Sequence, residues 1–119
     1  MTKPLVSVIM PVFNTERRVG EAVESILNQT FFDFEFIIVD DCSSDGSYEL
    51  LGEYVKRDQR IKLVRNGKNQ GISYTRNKLI KLATTNFICT QDSDDISEPK
   101  RMERAYDFLV KHEEYAVVS

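Results

Sequence analysis

Phe36-Ile37-Ile38-Val39 constrains this chain more than any other stretch. Four consecutive apolar residues leave no alternation between core and solvent, so a strand made from them must be covered on both faces, as parallel strands are. Parallel neighbours in turn require long crossovers, usually helices. The chain supplies them. Leu5-Val6-Ser7-Val8-Ile9-Met10 reads as a first strand stopped by Pro11. Asn14 or Thr15 is placed to cap a helix whose apolar positions Val19, Ala22, Val23, Ile26 and Leu27 share one face, ending near residues 28–30. Phe34 to Val39 is the second strand, and Leu50, Leu51, Tyr54 and Val55 mark a second helix. Ile61 to Val64 is a third strand. A helix from Ile72 to Leu82 follows, with Leu79, Ile80 and Ala83 apolar. Asn86 to Gln91 is the fourth strand. Ser97 caps a last helix, with Pro99 in its first turn and Met102, Ala105, Tyr106, Phe108 and Leu109 on its buried face. Tyr115-Ala116-Val117-Val118 starts a fifth strand.

Strand and helix thus alternate four times, which specifies an α/β fold with a mostly parallel sheet and helices on both faces. In such a sheet the loops after the strands share one edge, and ligands bind there. Those loops carry residues 11–14, Asp40-Asp41, residues 66–71 and Gln91-Asp92-Ser93-Asp94-Asp95. Three carboxylates within four residues repel one another unless a cation or hydrogen-bond donors compensate. Oxygen clusters of this kind suit Mg²⁺ or Mn²⁺, which take further ligands from substrate phosphates. The competing reading is a solvated loop whose Asp and Ser side chains cap the next helix.

The 119 residues allow one domain at most, with an ordinary apolar share of 41% and charged share of 29%. A net charge of -3 gives no bulk attraction to nucleic acid or an anionic membrane. Cys42 and Cys89 have no metal or redox spacing, which fits a reducing, cytoplasmic setting. No stretch is long enough to span a bilayer and no signal peptide is evident. The five glycines form neither a GxGxxG nor a GxxxxGK[ST] pattern. A phosphate site without a glycine cradle needs another source of positive charge. A metal at the acidic cluster would meet that need and act as a Lewis acid on a departing diphosphate.

Five segments in order, Val6 to Asn14, Ser25 to Thr30, Ile38 to Ser47, Asn69-Gln70-Gly71 with Thr75-Arg76-Asn77, and Gln91 to Asp95 with Pro99-Lys100-Arg101, resemble the family 2 glycosyltransferases. The resemblance covers essentially the whole chain. It implies a Rossmann-like GT-A nucleotide-diphospho-sugar transferase fold, of which residues 1–119 are the nucleotide-sugar-binding half. It also implies metal-dependent transfer from a nucleoside-diphosphate sugar, UDP-linked, to a glycan or lipid-linked acceptor hydroxyl in polysaccharide biosynthesis, with inversion. Asp92-Ser93-Asp94 corresponds to the family's Asp-x-Asp motif, so Asp94 and Asp92 would hold Mn²⁺ or Mg²⁺, with Ser93 beside the ribose. Asp41 would accept from a uracil-type N–H. Pro11, Val12 and Phe13 would line the base and ribose pocket, with Glu16 behind them. Gly71 and Arg76 would close over the nucleotide. The family's general base and acceptor site lie beyond Ser119, so no catalytic residue is assigned here. Membrane attachment at the inner face would belong to that longer protein, and uncovered apolar surface would favour self-association into a homo-oligomer.

Other residues read as structural. Asp40 and Asp45 suit loop and capping roles, Phe31, Phe32 and Phe34 suit packing, Lys100 and Arg101 suit a solvated first turn, and His112 suits a helix surface. Arg76 equally suits an ion pair across the rim. Two further classes compete. A receiver-type signalling domain needs its acid pair after the first strand and a phosphorylated Asp after the third, yet these end in Met10-Pro11 and Arg65-Asn66. A sugar-1-phosphate nucleotidyltransferase needs a glycine-rich signature where Pro11-Val12-Phe13-Asn14 stands. A non-catalytic binding module of the same fold fits the residues as well.

Overall fold

The computed structural model describes residues 3–111 and 117–118. Strands β1 (Val6–Val12), β2 (Phe34–Asp40), β3 (Ile61–Arg65), β4 (Ile88–Thr90) and β5 (Val117–Val118) alternate with helices α1 (Glu16–Leu27), α2 (Ser47–Arg57), α3 (Ile72–Leu82) and α4 (Arg101–Lys111). All strand pairs are parallel, in the order β3-β2-β1-β4-β5. The direction of travel across the sheet therefore reverses between β1 and β4. His112 and the Tyr115-Ala116 start of the last strand lie outside the described residues.

Period-two alternation sorts β1 and β2 between two cores. Val6, Val8, Met10 and Val12 with Phe34, Phe36 and Ile38 pack under Val19, Val23 and Ile26 of α1, Leu51 and Tyr54 of α2, and Met102 and Ala105 of α4. Ile9, Ile37 and Val39 face the other way, onto Leu79 of α3. Helices thus cover both faces, and β2 is buried along its whole length. Each such fully buried side chain is worth about 1.5–3 kcal/mol relative to exposure. Among the described residues no helix is long and apolar enough to cross a membrane.

The structure corrects several sequence expectations. Pro11 does not stop β1 but lies inside it, opposite Val39. The amide of Ser7 donates to Phe87 O at 2.8 Å and Ile9 O accepts from Gln91 N at 2.9 Å. Odd-numbered residues of β1 therefore point their backbone groups at β4. Pro11 is the next odd position, beyond the end of β4, so its missing N–H breaks no rung of the ladder. β4 is shorter than expected, Ile88 to Thr90 instead of Asn86 to Gln91. Pro99 precedes α4, which begins at Arg101, and the Ser97 hydroxyl donates to Gln91 Oε1 where a cap was expected. Phe108 is exposed, because one helical layer per face leaves its outer side uncovered.

The N-terminal edge of the sheet is fastened by a buried acid. Glu35, 3% exposed, accepts from Ser7 Oγ at 2.5 Å, from Thr84 N and Oγ1 at 2.7 and 3.0 Å, and from Lys62 Nζ at 2.8 Å. Burial pushes its pKa up, but the bonds from Lys62, Ser7 and Thr84 outweigh that and leave it below the ordinary 4.5. Glu35 therefore stabilises the fold above that pH, and the contribution is lost as pH falls through the depressed value. Glu35→Gln should lower unfolding free energy at pH 7 by about 1–3 kcal/mol and flatten its decline in acid. Urea unfolding followed at neutral and acidic pH measures both, and an acid limb as steep as in the parent chain would contradict this account.

Candidate functional site

A cavity of about 450 Å³ opens at the C-terminal edge of the sheet, lined by Pro11, Val12, Phe13, Thr15, Asp41, Asn69, Gly71, Ile72, Thr75, Asp92, Ser93 and Asp94. Its walls come from the end of β1, the loops after β1, β2, β3 and β4, and the start of α3, around the point between β1 and β4 where the winding reverses. That is the switch-point crevice of a doubly wound sheet. Eight of the residues named from the sequence meet here: Pro11, Val12, Phe13, Asp41, Gly71, Asp92, Ser93 and Asp94.

Asp41 is 5% exposed and is already tied to its own chain. Its Oδ1 accepts from Asn66 Nδ2 and Gln70 N, both at 2.8 Å, and its Oδ2 accepts from Gly71 N at 2.9 Å. This carboxylate thus fastens the β3–α3 loop to the end of β2. Gly71 caps α3 at φ 93° and ψ 164°, a conformation open in practice only to glycine. Next to Asp41, Cys42 takes φ 59°, turning the chain sharply after β2. Asp40 turns away from the cavity, accepting from Ser43 N at 2.9 Å and Ser43 Oγ at 2.6 Å, with Arg65 Nε at 3.4 Å. Asp45 accepts from Ser47 N at 2.9 Å at the start of α2, the local capping role its position suggested.

Glu16 and Arg76 do not line the cavity. Glu16 Oε1 accepts from Gly46 N at 2.8 Å, so its carboxylate lies against the β2–α2 loop. A Cβ at Gly46 would meet that carboxylate at 2.9 Å, a contact the exposed, flexible Glu16 side chain can relieve by shifting. Arg76 Nη2 stands 3.9 Å from Asp92 Oδ1, an exposed pair worth little in water. Asn14 does not cap α1 either. At φ 51° its side chain accepts from Ser44 N at 2.8 Å, joining the loops after β1 and β2. Thr15 holds the N-cap position without a side-chain cap bond. Its Oγ1 is the one buried side-chain oxygen without a partner among the described residues, and Thr15 lines the cavity.

Arg101 is not a solvated first-turn residue. Its guanidinium donates to Thr90 O at 2.5 Å and to Gln91 Oε1 and Ser97 Oγ, both at 3.1 Å. Buried Gln91 in turn donates to Asp92 O at 3.1 Å and Asp95 O at 2.9 Å, pinning both ends of the acidic turn. The turn brings carboxylate oxygens of Asp92, Asp94 and Asp95 within 4.8 Å of one another, all exposed. Oxygens on opposite sides of an octahedral Mg²⁺ sit about 4.2 Å apart, so small movements of free side chains would let this all-oxygen set hold such an ion. Asp95 joins the pair named from the sequence. Phe32 and Phe34 instead sit at the far edge, stacked on Arg60 at 4.4 and 4.2 Å.

Thr15, Asn69, Ile72 and Thr75 also line the cavity without having been named as binding residues. Asn69 and Thr75 stood inside a recognised motif, whereas nothing in sequence marks Thr15 or Ile72 beyond their place at helix starts.

The sequence matches the family described as glycosyl transferase family 2 over residues 7–119. It is 41% identical over 116 residues to the putative glycosyltransferase EpsE of Bacillus subtilis, covering 97% of this chain and 42% of that protein. The putative teichuronic acid biosynthesis glycosyltransferase TuaG of the same organism is 38% identical over 109 residues, covering 92% and 43%. The chain therefore spans less than half the length of these relatives. Among solved structures, S. aureus TarS 1-349 in complex with UDP-GlcNAc superposes with a TM-score of 0.84 at 31% identity, covering 92% of this chain and 32% of that one. The mannosyltransferase PcManGT of Pyrobaculum calidifontis, in complex with GDP-Man and Mn²⁺, shares the fold with a TM-score of 0.75 at 24% identity, covering 88% and 31%. Switch-point cavity, acidic turn and sequence agree: this chain belongs to glycosyl transferase family 2.

Proposed function

We infer that this chain is the donor-binding part of a glycosyltransferase that takes its sugar from a UDP-sugar through a divalent cation. The observation that carries this reading is the joining of cavity and acidic turn. Asp92, Ser93 and Asp94 form one wall of a cavity whose other walls suit a nucleoside: Pro11, Val12 and Phe13 offer apolar surface, and Asp41 an acceptor. TarS, at 30–31% identity, has been crystallised with UDP and with UDP-GlcNAc, which supports the uridine form.

Asp92, Asp94 and Asp95 are the residues that would hold the cation. A bound Mn²⁺ or Mg²⁺ would supply Lewis-acid stabilisation of the diphosphate as it leaves the anomeric carbon. The protein's own contribution is orientation. Asp41 lines the cavity where the base would sit, and the Gln91–Arg101 contacts hold the acidic turn in place. In the whole protein an acceptor hydroxyl would attack with inversion. Its site and the general base are proposed to lie outside these residues.

Calorimetric titration with UDP, with and without Mn²⁺, tests the reading. Affinity should rise with Mn²⁺, and Asp94→Ala should remove that gain. Metal-independent binding that Asp94→Ala leaves untouched would overturn it. A second measurement concerns Thr15. A buried hydroxyl without a partner costs about 1–3 kcal/mol, and valine keeps its shape. Thr15→Val should therefore melt at the same or a higher temperature. A clearly lower melting temperature would contradict the reading of this hydroxyl as unpartnered.

A further inference from the structure

Two buried amides outside the cavity lining hold a single segment, residues 97–102. Gln29 stands just past the end of α1. Its Oε1 accepts from Met102 N at 2.9 Å, and its Nε2 donates to Glu98 O at 2.7 Å and Ser25 O at 3.0 Å. Gln91 stands just past the end of β4. Its Oε1 accepts from Ser97 Oγ and from Arg101 Nη1 at 3.1 Å, while its Nε2 donates to Asp92 O and Asp95 O. Ser97 N donates to Ser25 Oγ at 3.0 Å and Thr30 N to Pro99 O at 2.9 Å. The stretch from Ser25 to Thr30 thus grips the segment that grips Gln91, and Gln91 grips the acidic turn.

The second amide has nothing left over. A carboxamide has two N–H donors and two acceptor positions on its oxygen, and Gln91 uses all four. Both donors go to the carbonyls at the two ends of the acidic turn. Satisfying those carbonyls does not by itself call for a buried amide, because Asp92 and Asp95 are exposed and water could bond them. What the amide adds is position. The carboxylates of Asp92, Asp94 and Asp95 repel one another, so a loose turn would relax by letting them part. A cation would then have to draw them together again. A backbone held in place beforehand removes that penalty from binding.

We propose that Gln91 and, one step further off, Gln29 are positioning residues for the cation, holding the acidic turn so that its carboxylates are gathered before the ion arrives. This rests on the cation-dependent nucleotide reading above. Neither amide lines the cavity and neither is charged. Replacing them with a neutral side chain therefore changes the geometry of the turn and leaves the net charge of the rim as it is.

Calorimetric titration of UDP into the 119-residue chain, with and without Mn²⁺, reads the gain in affinity that the cation confers. Gln91→Met should cut that gain by about three- to tenfold, the worth of one hydrogen bond, and leave UDP binding without Mn²⁺ unchanged. Gln29→Met should cut it in the same direction by about twofold or more. The double variant should lose no more than Gln91→Met alone, because both amides act through one segment. Thermal melting confirms folding. Ser97→Ala, which removes one bond to Gln91, takes the place of a variant that does not fold, with the same expected direction. A lower melting temperature with the Mn²⁺ gain intact would make both amides purely structural and overturn the proposal. Equal losses with and without Mn²⁺ would do the same, since the cavity itself would then have changed. Losses that add in the double variant would overturn the relay from Gln29. A parent chain that gains nothing from Mn²⁺ would bring down the cation reading and this one together.

Discussion

A buried carboxylate at the end of β2 organises the top of this molecule. Asp41 has almost no access to water, so an ionised form requires donors from the protein itself. It receives three, all from residues 66–71, some thirty positions along the chain at most. Those bonds settle where the β3–α3 loop lies and hence where α3 begins. They also place Gly71 in a backbone conformation that a side chain would strain. The cavity wall built from Asn69, Gly71, Ile72 and Thr75 follows from that anchoring.

The same strand carries an acid at each end, and the contrast separates stability from chemistry. Glu35 near the start of β2 is bonded by Ser7, Thr84 and Lys62, which tie β1, the segment after α3, and β3 to one point. Asp41, just past the end of β2, also binds its own chain, yet it lines a cavity and keeps an acceptor position. A parallel sheet makes this division natural, because its C-terminal edge collects the loops and its N-terminal edge collects strand starts. The arginine between Phe32 and Phe34 belongs to that second edge.

The elements that sequence reasoning located are those fixed by patterns within a single segment. The unbroken apolar run of β2 and the bounds of α3, Ile72–Leu82, follow from burial and periodicity alone. The failures share a different cause. Pro11 sits in a strand because β4 ends one rung early, which β1 cannot announce. Ser97 and Arg101 look like cap and surface residues until β4 is beside them, when Gln91 and Thr90 become their partners. Phe108 stays exposed because each face carries a single helical layer. In the site, eight of the named residues line one cavity, whereas Arg76 stays outside it and Glu16 was drawn to the Gly46 amide by a loop that local sequence does not reveal. Thr15 became visible only as an orphaned hydroxyl in the folded chain.

The acidic turn closes the physical argument. Two like charges 4 Å apart in water repel by about 1 kcal/mol, and three on one turn resist being gathered. Gln91 and Arg101 gather them nonetheless, through bonds to Asp92 O, Asp95 O and Thr90 O. The guanidinium of Arg101 is directed at a backbone carbonyl, an amide and a hydroxyl, not at the carboxylates. Arg76 reaches only Asp92, from 3.9 Å, and Asp94 and Asp95 have no ion pair among the described residues. The cavity rim is thus left with excess negative charge. A diphosphate brought there alone would be repelled by Asp92 and Asp94. On the proposed reading, anion binding and cation binding at this edge are therefore one proposition: the carboxylates would favour a diphosphate only through a divalent ion shared between them.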